Sequence, residues 1–84
     1  MNNLDDRNRG ERASRIINDD LFIEAEQKLR ASIMLAFERS QPGDIQTRER
    51  AYLELNLLNR LIGDFRTLID SGKLAARNIN EANK

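Results

Sequence analysis

Ser40-Gln41-Pro42-Gly43-Asp44 is the one place in the chain where proline and glycine stand together, and apolar residues recur at helical spacing on both sides of it. Proline has no amide hydrogen and turns the preceding residue away from helical angles, while glycine tolerates angles other residues avoid. A helix entering this segment must therefore stop near Ser40. Asp44 can cap the next one, its carboxylate accepting from backbone N–H groups that have no partner inside the helix.

On the N-terminal side, Phe22, Ala25, Leu29, Ile33, Ala36 and Phe37 recur at steps of three and four. At 100° per residue they fall within one arc of roughly 120°, an amphipathic helix over about residues 20–40. Asp19 or Asp20 reads as its N-cap. On the C-terminal side, Ala51, Leu55, Leu58, Ile62, Phe65 and Ile69 form one stripe, with Leu57, Leu61 and Leu68 beside it. This predicts a helix over about 44–71, with Gly72 as a C-terminal stop. The combined arc of roughly 160° is wider than one partner helix covers. A connection this short makes the two helices antiparallel, so the proline-glycine segment is the bend of a hairpin.

Outside the hairpin the pattern weakens. Residues 1–10 are polar and predict a flexible arm. The stretch from Glu11 to Asn18 makes a short helix with Ala13, Ile16 and Ile17 on one side. Residues 73–84 carry Leu74, Ala75, Ile79 and Ala82 at loosely helical spacing and either dock or fray. The expected fold is all-α: a short N-terminal helix, then a long antiparallel hairpin over 11–72 that oligomerises as a helical bundle.

The expectation of self-association rests on size. With 84 residues and neither cysteine nor histidine, the chain has no disulfide or thiolate metal site to supplement a thin core. Leu53, Leu57, Leu61, Leu68, Ile23 and Met34 lie beside or off the main stripes and are the expected oligomer seam. Glu54 falls within the leucine arc roughly level with Arg30, which predicts an ion pair between the two helices.

The same composition argues against most chemistry. Nucleophilic triads and the Glu-x-x-His units of bundle di-iron sites both need residues absent here, and the four glycines are too scattered for a phosphate loop. No catalytic residue, metal or cofactor is expected. Fourteen basic residues balance fourteen acidic ones, so no global field draws the chain to nucleic acid or an anionic membrane. Arg7, Arg9, Arg12 and Arg15 are the candidate anion contacts, diluted by Asp5, Asp6 and Glu11. No apolar run approaches the roughly 20 residues that span a bilayer, and the start is too polar for a secretory signal.

Arg9-Gly10-Glu11-Arg12-Ala13, the helix entry Asp20-Leu21-Phe22, the acidic bend leading to Arg48-Glu49, and Gly72-Lys73-Leu74-Ala75 resemble the pattern of small bacteriophage and prophage helical-hairpin proteins encoded among virion-assembly genes. The resemblance runs over residues 9–75. It implies a non-enzymatic virion assembly or packaging accessory that meets phage structural or host proteins, in the host cytoplasm or the virion. Two alternatives stand beside it: an anti-defence inhibitor that sequesters an anionic ligand such as a nucleotide, and a nucleic-acid-binding hairpin dimer, the latter less favoured by the charge balance.

Overall fold

The computed structural model describes residues 2–83 and contains three helices: α1 (Asn3–Ile17), α2 (Asp20–Arg39) and α3 (Ile45–Ala82). The fold is all-α, with no strand among the described residues. Each start has a side-chain cap. The Asn2 side chain accepts from the Asp5 amide at 2.7 Å, Asp19 accepts from Leu21 at 2.9 Å, and Asp44 accepts from Thr47 at 3.1 Å.

The contacts along the molecule define its topology. Gly10 of α1 lies against Gly72 of α3; the rings of Phe22 and Phe65 meet edge to face at 5.8 Å; Arg30 bonds Asn59 at 2.9 Å; and the Arg48 guanidinium stacks 4.8 Å above the Phe37 ring. Numbers rise on one side of the molecule as they fall on the other. Both α1 and α2 therefore run antiparallel to α3, one after the other. Thirty-eight residues at 1.5 Å each make α3 about 57 Å long, and the chain measures 62 × 23 × 16 Å, a rod two helices thick.

Two boundaries differ from the sequence expectation. The arm expected over residues 1–10 is helical from Asn3, so the first helix is Asn3–Ile17 rather than 11–18. The Asn2 cap, with Asp5 and Asp6 in the first turn beside the positive end of the helix dipole, explains why so polar a stretch holds. Nor does α3 stop at Ser71: it passes through Gly72 to Ala82, and the tail from residue 73 is part of it. Met1 and Lys84, the outer ends of the expected arm and tail, lie outside the described residues.

Gly72 serves a different purpose from a stop. No described glycine has a positive φ. A Cβ on Gly72 would stand 2.9 Å from the Gly10 Cα and 3.1 Å from the Asp6 carbonyl oxygen, and one on Gly10 would stand 2.8 Å from both the Gly72 Cα and the Leu68 carbonyl oxygen. At each glycine at least one of these distances is below 3 Å, closer than real Cβ atoms come, so a side chain there would have to push the backbones apart. The glycines, flanked by buried Ala13 and Ala75, let the backbones of α1 and α3 touch. Between α2 and α3 the spacer is larger: Ile33, Ala51, Leu58 and Ile62 form the core, with Phe22 and Leu55 packed against it.

The bend spans residues 40–44, as the proline and glycine predict. The Ser40 hydroxyl donates to the Phe37 carbonyl at 2.6 Å and accepts from Arg48 Nε at 3.1 Å, which ties the end of α2 to the first turn of α3. The Thr47 hydroxyl, donating to Asp44 at 2.7 Å, and then the Thr47 amide hold the Asp44 carboxyl below its ordinary range; Arg48 adds to this.

Candidate functional site

The core leaves much apolar surface uncovered. Its buried hydrophobic members are Ala13, Ile33, Ala51, Leu58, Ile62 and Ala75, three of them alanines. More large apolar side chains are exposed than buried, among them Leu53 at 57%, Leu57 at 61%, Leu61 at 51% and Leu29 at 51%. Monomeric proteins tolerate scattered exposed leucines, but an exposed row on one face marks a contact surface.

Placing these residues by face requires only the helical repeat and the contacts already given. Arg30 reaches Asn59 on one flank of the α2–α3 pair, where Ile33, Met34, Phe37, Ala51, Tyr52 and Leu55 line a groove of 220 Å³. Leu57 and Leu61 turn about 160° or more away from Asn59 around α3, and Leu29 turns about 100° away from Arg30 around α2. The opposite flank therefore carries Leu29 from α2 and Leu53, Leu57 and Leu61 from α3. On α2, exposed Ala25, Ser32 and Ala36 fall within about 60° of arc with Leu29, so that edge is small and apolar.

The expected seam thus divides between two flanks. Leu53, Leu57 and Leu61 share one, and half-buried Leu68 continues it toward α1. Met34 lines the groove on the other flank, and Ile23, half-buried, lies on Met34's side of α2 by the helical repeat. The sequence stripe put all six on one seam because it could not show which edge of α2 meets which edge of α3.

The expected Glu54–Arg30 pair is replaced by another. Arg30 Nη2 bonds Glu26 Oε1 at 3.1 Å within α2, and its Nη1 donates to the Asn59 side chain at 2.9 Å across to α3. Glu54 is exposed beside Leu53 and Leu57. One turn separates Glu26 from Arg30, the spacing at which helix neighbours meet, and that local partner takes the guanidinium.

The candidate anion contacts also separate. Arg9 and Arg12 line a 290 Å³ depression with Ala13, Ile16, Phe65 and Leu68, and Arg12 and Arg15 line an adjoining one of 470 Å³ with Ile16, Asp19 and Phe22. Arg7 lies on the other side of α1 with Glu11, its Nε 3.9 Å from the carboxylate. Among the described residues no group of three acidic side chains could hold a metal ion, and no helix is long and apolar enough to cross a membrane.

The class these features define is a rod-shaped all-α protein with an uncovered apolar row along one side of its longest helix. Comparison with protein-family models, with curated protein sequences and with solved structures returns no match.

Proposed function

We propose that this chain is a non-enzymatic protein that works through protein–protein contacts, as an accessory to bacteriophage virion assembly or packaging. The observation that carries the contact reading is the exposed row Leu53, Leu57 and Leu61 beside Leu29. At about 25 cal/mol per Å² of apolar surface removed from water, covering such a row is a substantial driving force for association. The assembly context comes from the resemblance over residues 9–75. A rod with an exposed apolar row suits a part that spaces or staples other subunits in the host cytoplasm before or during particle formation.

A second reading, an anti-defence protein that sequesters an anionic small molecule, draws on Arg9 and Arg12 lining one depression beside apolar Phe65 and Leu68. Fractionation of infected cells that make the chain separates the two. Quantitative mass spectrometry should find it at defined stoichiometry in virions or assembly intermediates. Its absence from every particle, together with a nucleotide retained by the native protein, would overturn the assembly role in favour of sequestration.

A further inference from the structure

The exposed flank of α3 has an internal symmetry that names its partner. Counting outward from Leu57, the positions four away on either side are Leu53 and Leu61, and those seven away are Arg50 and Asp64. At 100° per residue all five fall within about 80° of arc centred on Leu57, so they form one straight row. The row reads basic, apolar, apolar, apolar, acidic. Reversed end for end, it complements itself in charge and matches itself in shape.

We propose that this row is the seam of a homodimer in which a second copy of the chain docks antiparallel, about a two-fold axis at Leu57. Leu57 then meets its own copy, Leu53 packs against Leu61 of the second copy, and Arg50 lies opposite Asp64 of the second copy at both ends of the seam. Such isologous pairing, in which each contact is made twice, is the commonest way for a single chain to cover a surface. A parallel copy would instead set Arg50 against Arg50 and Asp64 against Asp64, which is repulsive at both ends.

α2 fits the same geometry. The Arg30–Asn59 bond sets residues 29 and 30 of α2 level with 58 and 59 of α3, so Leu29 stands at nearly the same height along the rod as Leu57. Exposed Ala25, Ser32 and Ala36 on that edge are small enough for the α2 helices of the two copies to approach. The result is a four-helix assembly over the α2–α3 half, with Leu53, Leu57 and Leu61 of the two α3 helices along the seam and Leu29 of each copy at its α2 edge.

Area permits the assignment, the excess being spread along an elongated chain. The chain exposes 6759 Å², about 1,600 Å² more than the roughly 5,100 Å² expected of a compact monomer of its 9.7 kDa mass. A stable interface takes about 800 Å² from each partner, so the excess is large enough to supply one. The thin core gives the reason a second copy is needed: with alanine at three of six buried hydrophobic positions, one chain alone buries little to offset the conformational entropy of ordering it.

This inference rests on the reading that the chain acts through protein contacts, but its test is independent of the assembly role. The full chain has no cysteine, so single-cysteine variants report one position each. Sedimentation equilibrium should give the mass of a dimer. Leu57→Cys should cross-link to its own copy through a short bismaleimide, while Tyr52→Cys, on the groove flank, should not. Spin labels on Gln46→Cys should lie about 33 Å apart along the axis in the antiparallel pair, against about 10 Å in a parallel one.

Charge reversal supplies a second arm that leaves the leucines in place. Arg50→Asp and Asp64→Arg should each weaken association about tenfold, and the two combined should restore it. A monomer at every concentration, close Gln46 labels, or a double variant no tighter than the singles would overturn the proposal. None of these outcomes touches the particle fractionation, which decides the assembly role separately.

Discussion

Gly10 and Gly72 face each other across the crossing of α1 and α3 so closely that a methyl group on Gly10 would meet the Gly72 Cα and the Leu68 carbonyl oxygen at 2.8 Å. The obstructing atoms are backbone, which cannot rotate aside. Gly10→Ala and Gly72→Ala must therefore push the helices apart or unseat α1, a strain of about 1–3 kcal/mol. Alanine's better helix propensity returns up to about 1 kcal/mol. The net expectation is destabilisation for both variants, measured as a lower urea midpoint by far-ultraviolet circular dichroism. Unchanged or raised midpoints would show that the crossing is looser than described.

Gly63 provides the contrast. It lies in the middle of α3, and a Cβ added there meets nothing within 4 Å. Gly63→Ala should stabilise the chain by up to about 1 kcal/mol, through helix propensity and a less flexible unfolded chain. The same urea titration checks it, and a loss of stability would mean that unseen packing fills the space.

Arg30 makes its ion pair with Glu26 and its bond across the helices with Asn59. Because both members of the pair are partly exposed, Glu26→Gln should cost only about 0.2–1 kcal/mol. Asn59→Ala should cost about 0.5–1.5 kcal/mol, since it removes the one hydrogen bond that Arg30 extends to α3. Neither position falls on the Leu57 row. Pairing each substitution with Arg30→Ala in a double-mutant cycle measures the couplings directly, and a zero coupling for Asn59 would remove that bond as a register-setting contact.

Asp44 links stability to pH. The Thr47 hydroxyl and amide favour its ionised form in the folded chain, so its folded pKa is depressed below the roughly 3.9 of an unfolded aspartate. The stabilisation is present above the unfolded value and is lost as pH falls through the folded one. Asp44→Asn keeps a capping oxygen but cannot titrate. Wild type should thus lose stability relative to Asp44→Asn as pH drops below about 4, with the gap constant near neutrality. Parallel curves through the acid range would show that the cap contributes no such linkage.

The hairpin was legible because its signals are local. Pro42 and Gly43 stop one helix, Asp44 starts another, and the spacing of Leu55, Leu58 and Ile62 fixes which side of α3 turns inward. Gly10 and Gly72 were illegible for the opposite reason. Read one at a time, a glycine near a polar start suggests an arm, and a glycine after Asp70 and Ser71 suggests an end; only the pairing of positions 62 apart in sequence reveals that each exists to admit the other. A glycine followed three residues later by alanine on both helices of the contact, Gly10 with Ala13 and Gly72 with Ala75, is the signal that could have exposed it.

The apolar flank was half legible. Leu57 and Leu61 stand out as surplus to one partner helix, yet Met34 and Ile23 looked equally surplus and belong to the other side. Assigning flanks needs the relative rotation of α2 and α3, which the Arg30–Asn59 and Phe37–Arg48 contacts supply. Glu54 misled for a related reason: it lies more than a turn from Asn59, the residue of α3 that Arg30 reaches, and on the other side of the helix.

A single unbroken α3 serves both α1 and α2, and the two contacts obey different rules. Near Gly72 the fit depends on absent atoms, so substitutions are tolerated only if they add nothing. Near Leu58 and Ile62 it depends on interlocking side chains, where exchanges that conserve volume are absorbed. Mutational tolerance should therefore change character partway along one helix: forbidding at its C-terminal half, permissive at its N-terminal half. A saturation library of α3 would show that boundary near Phe65, where α1 hands over to α2.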